Sequence, residues 1–341
     1  MQTILVPEEV LVSFFGQQRH HLELLSTARS GCSGPKVVFL RNGSPRKLAL
    51  KYGQTRVPIL TQFENRRLLS EFMAERLPEI ISYCSYSGGE AMLMAAIDGP
   101  NLHEAVMLGL VPDQRILEIL KSITTDFLRM WVDSRSTEQS FTLFRDPKVR
   151  ITRVVEAAFT ALSDLGIHRD DKIAVNGSEI GTAGHLLSIL DSYQPPEFSV
   201  FCHSDLNADN FVIPSDGNWY LVDWEWVGRH DWRLCLSHLY GWWSSNSTRL
   251  ENKPVMSRLG NTVELQYEIS SPAICGEIQK YCLEAGELAA QTLNDAANWR
   301  KNFNLLVAAL LLGDVRFNPG RGRADYTIPL LGEGMKMLAQ S

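Results

Sequence analysis

No stretch of this 341-residue chain is long and apolar enough to span a bilayer. The most apolar late run, Leu305 to Leu312, falls far short of the roughly 20 residues a membrane helix needs and is expected to be a buried helix. The opening Met1-Gln-Thr-Ile-Leu-Val-Pro7 lacks the basic start and long apolar core of a secretory leader. Six cysteines (Cys32, Cys84, Cys202, Cys235, Cys275, Cys282) are scattered without any Cys-x-x-Cys spacing, so they read as reduced thiols rather than a disulfide framework. A basic excess is also missing. The formal net charge is −6, which argues against a nucleic-acid partner and is compatible with a cationic one. No internal repeat or low-complexity tract stands out. Together these lacks predict a cytoplasmic protein with neither a membrane nor a nucleic-acid partner.

What is present is a chain that is 45% hydrophobic, enough for a sizeable core and for two lobes. Its most informative stretch runs Phe201-Cys-His-Ser-Asp-Leu-Asn-Ala-Asp-Asn-Phe-Val-Ile213. His203, Asp205 and Asn210 occupy a short loop after an apolar run. Phe211–Ile213 and Tyr220–Val222 read as two short strands joined by a turn containing Asp216-Gly217. Such a hairpin brings Asp223 to the same end as the loop.

That set has a chemical logic. Asn210 and Asp223 are hard oxygen ligands of the kind Mg²⁺ takes, leaving its other positions for phosphates and water. Asp205 remains as a carboxylate to orient an attacking hydroxyl and accept its proton. His-x-Asp-Leu-x-x-x-Asn followed by a strand ending in Asp is the order of a kinase catalytic loop and metal segment. A plain Asp/Asn-rich turn between core strands, with His203 as a structural hydrogen-bonder, is the competing explanation.

With Ser204 after the His and Asp223-Trp-Glu225 at the strand end, the stretch resembles the aminoglycoside phosphotransferase/choline kinase family of small-molecule kinases. Ser204 stands where Gly is usual, and Asn207 where a second His is common. The resemblance implies an α+β, two-lobed protein-kinase-like fold. A small antiparallel-sheet N-lobe over residues 1–97 would carry the nucleotide loop, a Lys strand and a Glu helix. A larger, mainly helical C-lobe over 98–341 would carry the catalytic loop, metal site and acceptor pocket.

Further roles follow from the resemblance. Ser30, Gly31, Cys32, Ser33 and Gly34 lie in a loop between two expected strands. By its residues it is equally a hairpin turn or a phosphate loop, and the resemblance makes it the cover of the nucleotide phosphates. Lys51, closing the strand Lys47-Leu-Ala-Leu-Lys51, would contact the α- and β-phosphates. The helix from Thr61 to Leu77, stopped by Pro78, offers Glu64 as the partner of Lys51, with Glu71 as the fallback. Ala95 and Ala96 fall at the hinge that would bind the base through main chain. The donor would be ATP or GTP with Mg²⁺, and the acceptor a hydroxylated small molecule.

Downstream, Asp113–Trp131, Val149–Leu165, Gly181–Leu190, Ser271–Ala296 and Asn298–Leu312 show helical apolar spacing. Arg169–Glu179 reads as a polar connector, and Pro7–His20 as a lead-in segment with no readable role. Glu225, Trp226 and Asp231 are candidate acceptor contacts, although Trp is more often a core filler. His185, His230 and His238 show no zinc-like spacing and read as structural hydrogen-bonders. Gly320-Arg-Gly-Arg323 reads as a solvated basic turn. A protein kinase is disfavoured, because no Ala-Pro-Glu follows Asp223. An inert kinase-fold binding protein would be favoured by loss of Lys51, Asp205, Asn210 or Asp223, and all four are present.

Overall fold

The computed structural model describes residues 6–27, 36–137, 146–317 and 323–341. The chain divides into two compact units, Met1–Ala105 with Asp209–Val227, and Val106–Ala208 with Gly228–Ser341. Residues 209–227, which the sequence reading gave to the second lobe, thus return to the first unit.

In the first unit the elements run α1 (Glu8–Phe15), β1 (Leu22–Thr27), β2 (Lys36–Asn42), β3 (Lys47–Gly53), α2 (Ile59–Met73), β4 (Ile80–Tyr86), β5 (Gly89–Ala95) and the start of α3 (Leu102–Met107). The five strands form one antiparallel sheet in the order β1-β2-β3-β5-β4. Side chains alternate across a strand, so β3 has two faces. Leu50 and Tyr52 join Val38, Leu40, Ala91 and Leu93 beneath Val10 and Phe15 of α1. The lead-in segment is therefore a helix that closes one face of the sheet. Ala49 and Lys51 point to the other face, where Lys51 pairs across to Met92 of β5. α2 packs on β4 and β5 and buries Ile59, Gln62, Leu69 and Met73.

The second segment of this unit enters as a hairpin, β9 (Phe211–Val212) with β10 (Tyr220–Leu221), paired antiparallel as the Asp-Gly turn predicted. It runs close against the chain before α3, where Ile213 N–H donates to the Pro100 carbonyl at 2.9 Å. A Cβ at Gly99 would stand 2.2 Å from the Ile213 carbonyl oxygen, so only glycine fits there. Arg76 covers the buried Trp219 ring at 4.9 Å.

The second unit is mostly helical: α4 (Asp113–Ser134), α5 (Pro147–Asp164), α6 (Ala183–Ile189), α7 (Trp232–Ser245), α8 (Ala273–Thr292), α9 (Trp299–Phe317) and α10 (Thr327–Ala339). α4 buries Ile116, Ile119, Leu120, Ile123, Phe127, Met130 and Trp131, the stripe its 3.6-residue period predicts. An aromatic chain runs from Trp131 to Trp232 (5.8 Å between centroids), on to Trp299 (6.4 Å) and Phe303 (5.9 Å). These tryptophans fill the core rather than face a ligand. The strand β8 (Val200–His203) is tied to α4, where Ser134 Oγ accepts from the Phe201 N–H at 2.8 Å.

One sheet was not foreseen. β6 (Lys172–Val175) and β7 (Ser178–Thr182) join β13 (Val255–Leu259) and β14 (Thr262–Gln266) in the order β13-β14-β6-β7, with β14 parallel to β6. The supposed connector 169–179 is thus a hairpin, turned by Asn176 and Gly177 at φ of 50° and 85°. Asn-Gly is the signal for such a turn. Among the described residues no helix is long and apolar enough to cross a membrane.

Candidate functional site

Lys51 is a buried cation on the α2-facing side of the first unit's sheet, 6% exposed. Desolvating an ammonium is costly unless acids meet it. Two do. Its Nζ lies 2.9 Å from Asp223 Oδ1 and 3.3 Å from Glu225 Oε1. Asp223 reaches this position from the end of β10 through a left-handed backbone, φ 61° and ψ 75°, a conformation Asp tolerates better than most residues. Its carboxylate is part-exposed, whereas that of Glu225 is buried. Glu225 also accepts from Gln62 Nε2 at 3.4 Å, and Asn65 Nδ2 donates to the Trp224 carbonyl at 2.9 Å. α2 therefore grips the Asp223–Trp226 segment with amides.

The expected Lys51 partner is corrected by this arrangement. Glu64 is exposed, because the face of α2 that turns inward carries Gln62, Asn65 and Leu69. Glu71 is exposed as well. The carboxylate comes instead from Glu225. Glu225, expected as an acceptor contact, is instead met by Lys51 and Gln62. Trp226 is half-buried, with the Arg56 guanidinium 5.7 Å from its ring.

Asn210 is buried, and its carbonyl accepts from the Val222 N–H at 2.9 Å, which registers the loop against the strand that delivers Asp223. One amide oxygen and one carboxylate are a donor set that suits Mg²⁺, which needs few protein ligands. The hinge expectation needs revision. The Ala95 N–H donates to the Glu79 carbonyl at 2.9 Å and the Ala96 N–H to the Lys47 carbonyl at 3.1 Å, so neither N–H remains for a base. Ser30, Gly31, Cys32, Ser33 and Gly34 lie outside the described residues, as do residues 320–322 of the basic turn.

In the second unit Asp205 follows β8. Its backbone N–H donates to Nδ1 of His203 at 3.2 Å, and its carbonyl accepts from the Asn207 N–H at 2.9 Å. His203, the other catalytic candidate of this loop, is wholly buried. The Asp205 carboxylate is met by His238 of α7, Oδ1 to Nδ1 3.2 Å. Arg150 of α5 donates to the other ring nitrogen of His238 at 2.8 Å. Sequence reading set His238 aside as structural; no spacing signal links it to Asp205, and only the fold brings α7 onto the loop.

Asp231 is likewise corrected as an acceptor contact. It is fully buried at the N-terminus of α7, where it caps the Arg233 N–H at 2.9 Å, takes the Arg233 guanidinium at 2.9 Å and accepts from the Tyr193 hydroxyl. Nearby on α7, Cys235 is buried, its thiol pushed up by desolvation.

No protein-family model matches the chain, and no curated protein matches it in sequence. Solved structures do match in shape. A thermostable mutant of aminoglycoside phosphotransferase APH(4)-Ia, in ternary complex with AMP-PNP and hygromycin B, aligns over 97% of both chains with TM-score 0.61 at 12% identity. The fold is that of the aminoglycoside phosphotransferases. Spectinomycin phosphotransferase APH(9)-Ia, with ADP and spectinomycin, covers 98% of this chain and 94% of its own with TM-score 0.54 at 15% identity. An aminoglycoside phosphotransferase from Alicyclobacillus acidocaldarius aligns over 100% of this chain and 96% of its own, TM-score 0.50 at 11% identity. The expected two-lobed α+β, kinase-like fold is therefore observed.

Proposed function

We propose that the protein is a small-molecule kinase that moves the γ-phosphoryl group of ATP or GTP to a hydroxyl of a small acceptor. The observation that carries this reading is the buried Lys51 ammonium 2.9 Å from Asp223, since a structural lysine has no reason to be drawn out of water onto the residue that ends a metal segment. Lys51 binds the α- and β-phosphates as a compact cation. Asn210 and Asp223 would hold Mg²⁺, which when bound neutralises charge on the β- and γ-phosphates. Asp205 orients the acceptor hydroxyl and takes its proton, and His203 keeps the loop in shape. Ser30 to Gly34 are proposed as phosphate contacts. With the Ala95 and Ala96 N–H groups committed, the Ile97 N–H is the main-chain donor we assign to the base.

Calorimetry with Mg·ATP and Mg·GTP tests the nucleotide half of the proposal; no binding of either overturns it and leaves an inert scaffold. An ADP-release screen over hydroxylated metabolites and antibiotics tests the acceptor half. Hygromycin B and spectinomycin, bound in two of the similar structures, are the first to try.

A further inference from the structure

We infer that His238 is a positioning residue for Asp205, locked by Arg150 as the neutral imidazole with its proton on Nδ1. The inference rests on Asp205 being the base. The geometry allows one protonation pattern. A guanidinium only donates, so the His238 Nε2 at 2.8 Å from Arg150 accepts and carries no proton. The ring proton is then on Nδ1, which lies 3.2 Å from Asp205 Oδ1 and donates to it. An imidazolium would set an N–H against the guanidinium N–H and one cation against another.

Arg150 is half-buried between acids' fields. Desolvation lowers its basicity, while the fields of Asp205 and of Asp314 on α9 oppose that. Two elements therefore back one carboxylate: α7 supplies the imidazole and α5 the guanidinium behind it. The consequence is specific to a base. A lysine or arginine touching Asp205 would depress its proton affinity. A neutral imidazole fixes the carboxylate rotamer with a hydrogen bond while keeping the cation one ring further off.

The test combines a spectrum with kinetics. In protein labelled with ¹⁵N-histidine, the His238 ring signals, identified by their loss in His238→Phe, should show the Nδ1–H tautomer at pH 7. Arg150→Met should convert them to the mixed pattern of a free imidazole. With Mg·ATP alone as the probe, His238→Phe should slow ADP release by about 10- to 100-fold, the range seen when a partner that orients a functional side chain is removed. KM for ATP should stay near wild type. His238→Asn, which keeps an N–H donor near the Nδ1 position, should recover part of the rate. An Nε2–H ring or an imidazolium at pH 7 overturns the inference. So does wild-type turnover in His238→Phe when Asp205→Asn is inactive. Wild-type turnover in Asp205→Asn itself refutes the base assignment instead, and the tautomer is still decided by the spectrum.

Discussion

Lys51 Nζ lies 3.3 Å from Oε1 of Glu225, a carboxylate that arrives on the segment after Asp223 and not on helix α2. Both side chains are buried, so the pair is held by geometry rather than by chance surface attraction. Removing one partner of a buried pair costs about 3 kcal/mol or more, because the other is left uncompensated. Glu225→Ala should therefore lower thermal stability and weaken Mg·ATP binding. Glu64→Ala, on an exposed position, should change neither. Equal effects of the two in calorimetry and melting would return the pairing role to α2.

Asp205→Asn should abolish transfer while leaving nucleotide affinity nearly intact. Loss of a general base costs roughly 10²- to 10⁴-fold in rate. Asp223→Asn should weaken Mg-dependent nucleotide binding as well as turnover. Titration calorimetry beside an ADP-release assay separates the two; near-normal turnover in Asp205→Asn refutes its role.

Gly99→Ala should destabilise the fold without touching a catalytic group. The added methyl would sit 2.2 Å from the Ile213 carbonyl oxygen, and forced overpacking costs about 1–3 kcal/mol. A melting midpoint equal to wild type would show that the hairpin yields freely.

Asp171 makes a testable pH contribution. The Arg258 guanidinium, 2.8 Å from both carboxylate oxygens, and the His168 N–H lower its pKa from 3.8 to about 2. A carboxylate depressed in the folded state stabilises above its unfolded pKa, and that contribution fades as pH falls through the folded value. Arg258→Ala should therefore melt lower than wild type at neutral pH. The gap should narrow between pH 4 and 2. A gap that persists unchanged at pH 2 would place the effect in packing.

Much of this was legible because it is local. The strand alternation around Lys51, the helical stripe of Ile116 to Trp131 and the Asp216-Gly217 turn are written in neighbouring residues. The spacing from His203 to Asp223 carried the fold class. What failed needed distant parts to meet. Whether Glu64 or Gln62 faces inward depends on the rotation of α2 against the sheet, and a short helix with acids on several faces does not declare it. Glu225 and Asp231 looked like ligand contacts because acids beside aromatics often are. Glu225 is buried on Lys51, 174 positions away, whereas Asp231 is buried on its near neighbour Arg233 and on Tyr193, 38 positions back. His238 has no motif at all.

The parallel pairing of β14 with β6 sets Thr262 beside Lys172, about 90 residues apart along the chain. Between them lies the whole proposed site stretch, from His203 through Asp223 to His238. Closing a loop of that length costs about 4 kcal/mol of chain entropy before any contact rewards it. During synthesis Asp205, Asn210 and Asp223 all emerge before Thr262 exists to be paired. The four-stranded sheet is thus a late clasp: the stretch that ends at Asp223 must remain without it until the ribosome has made some forty residues more.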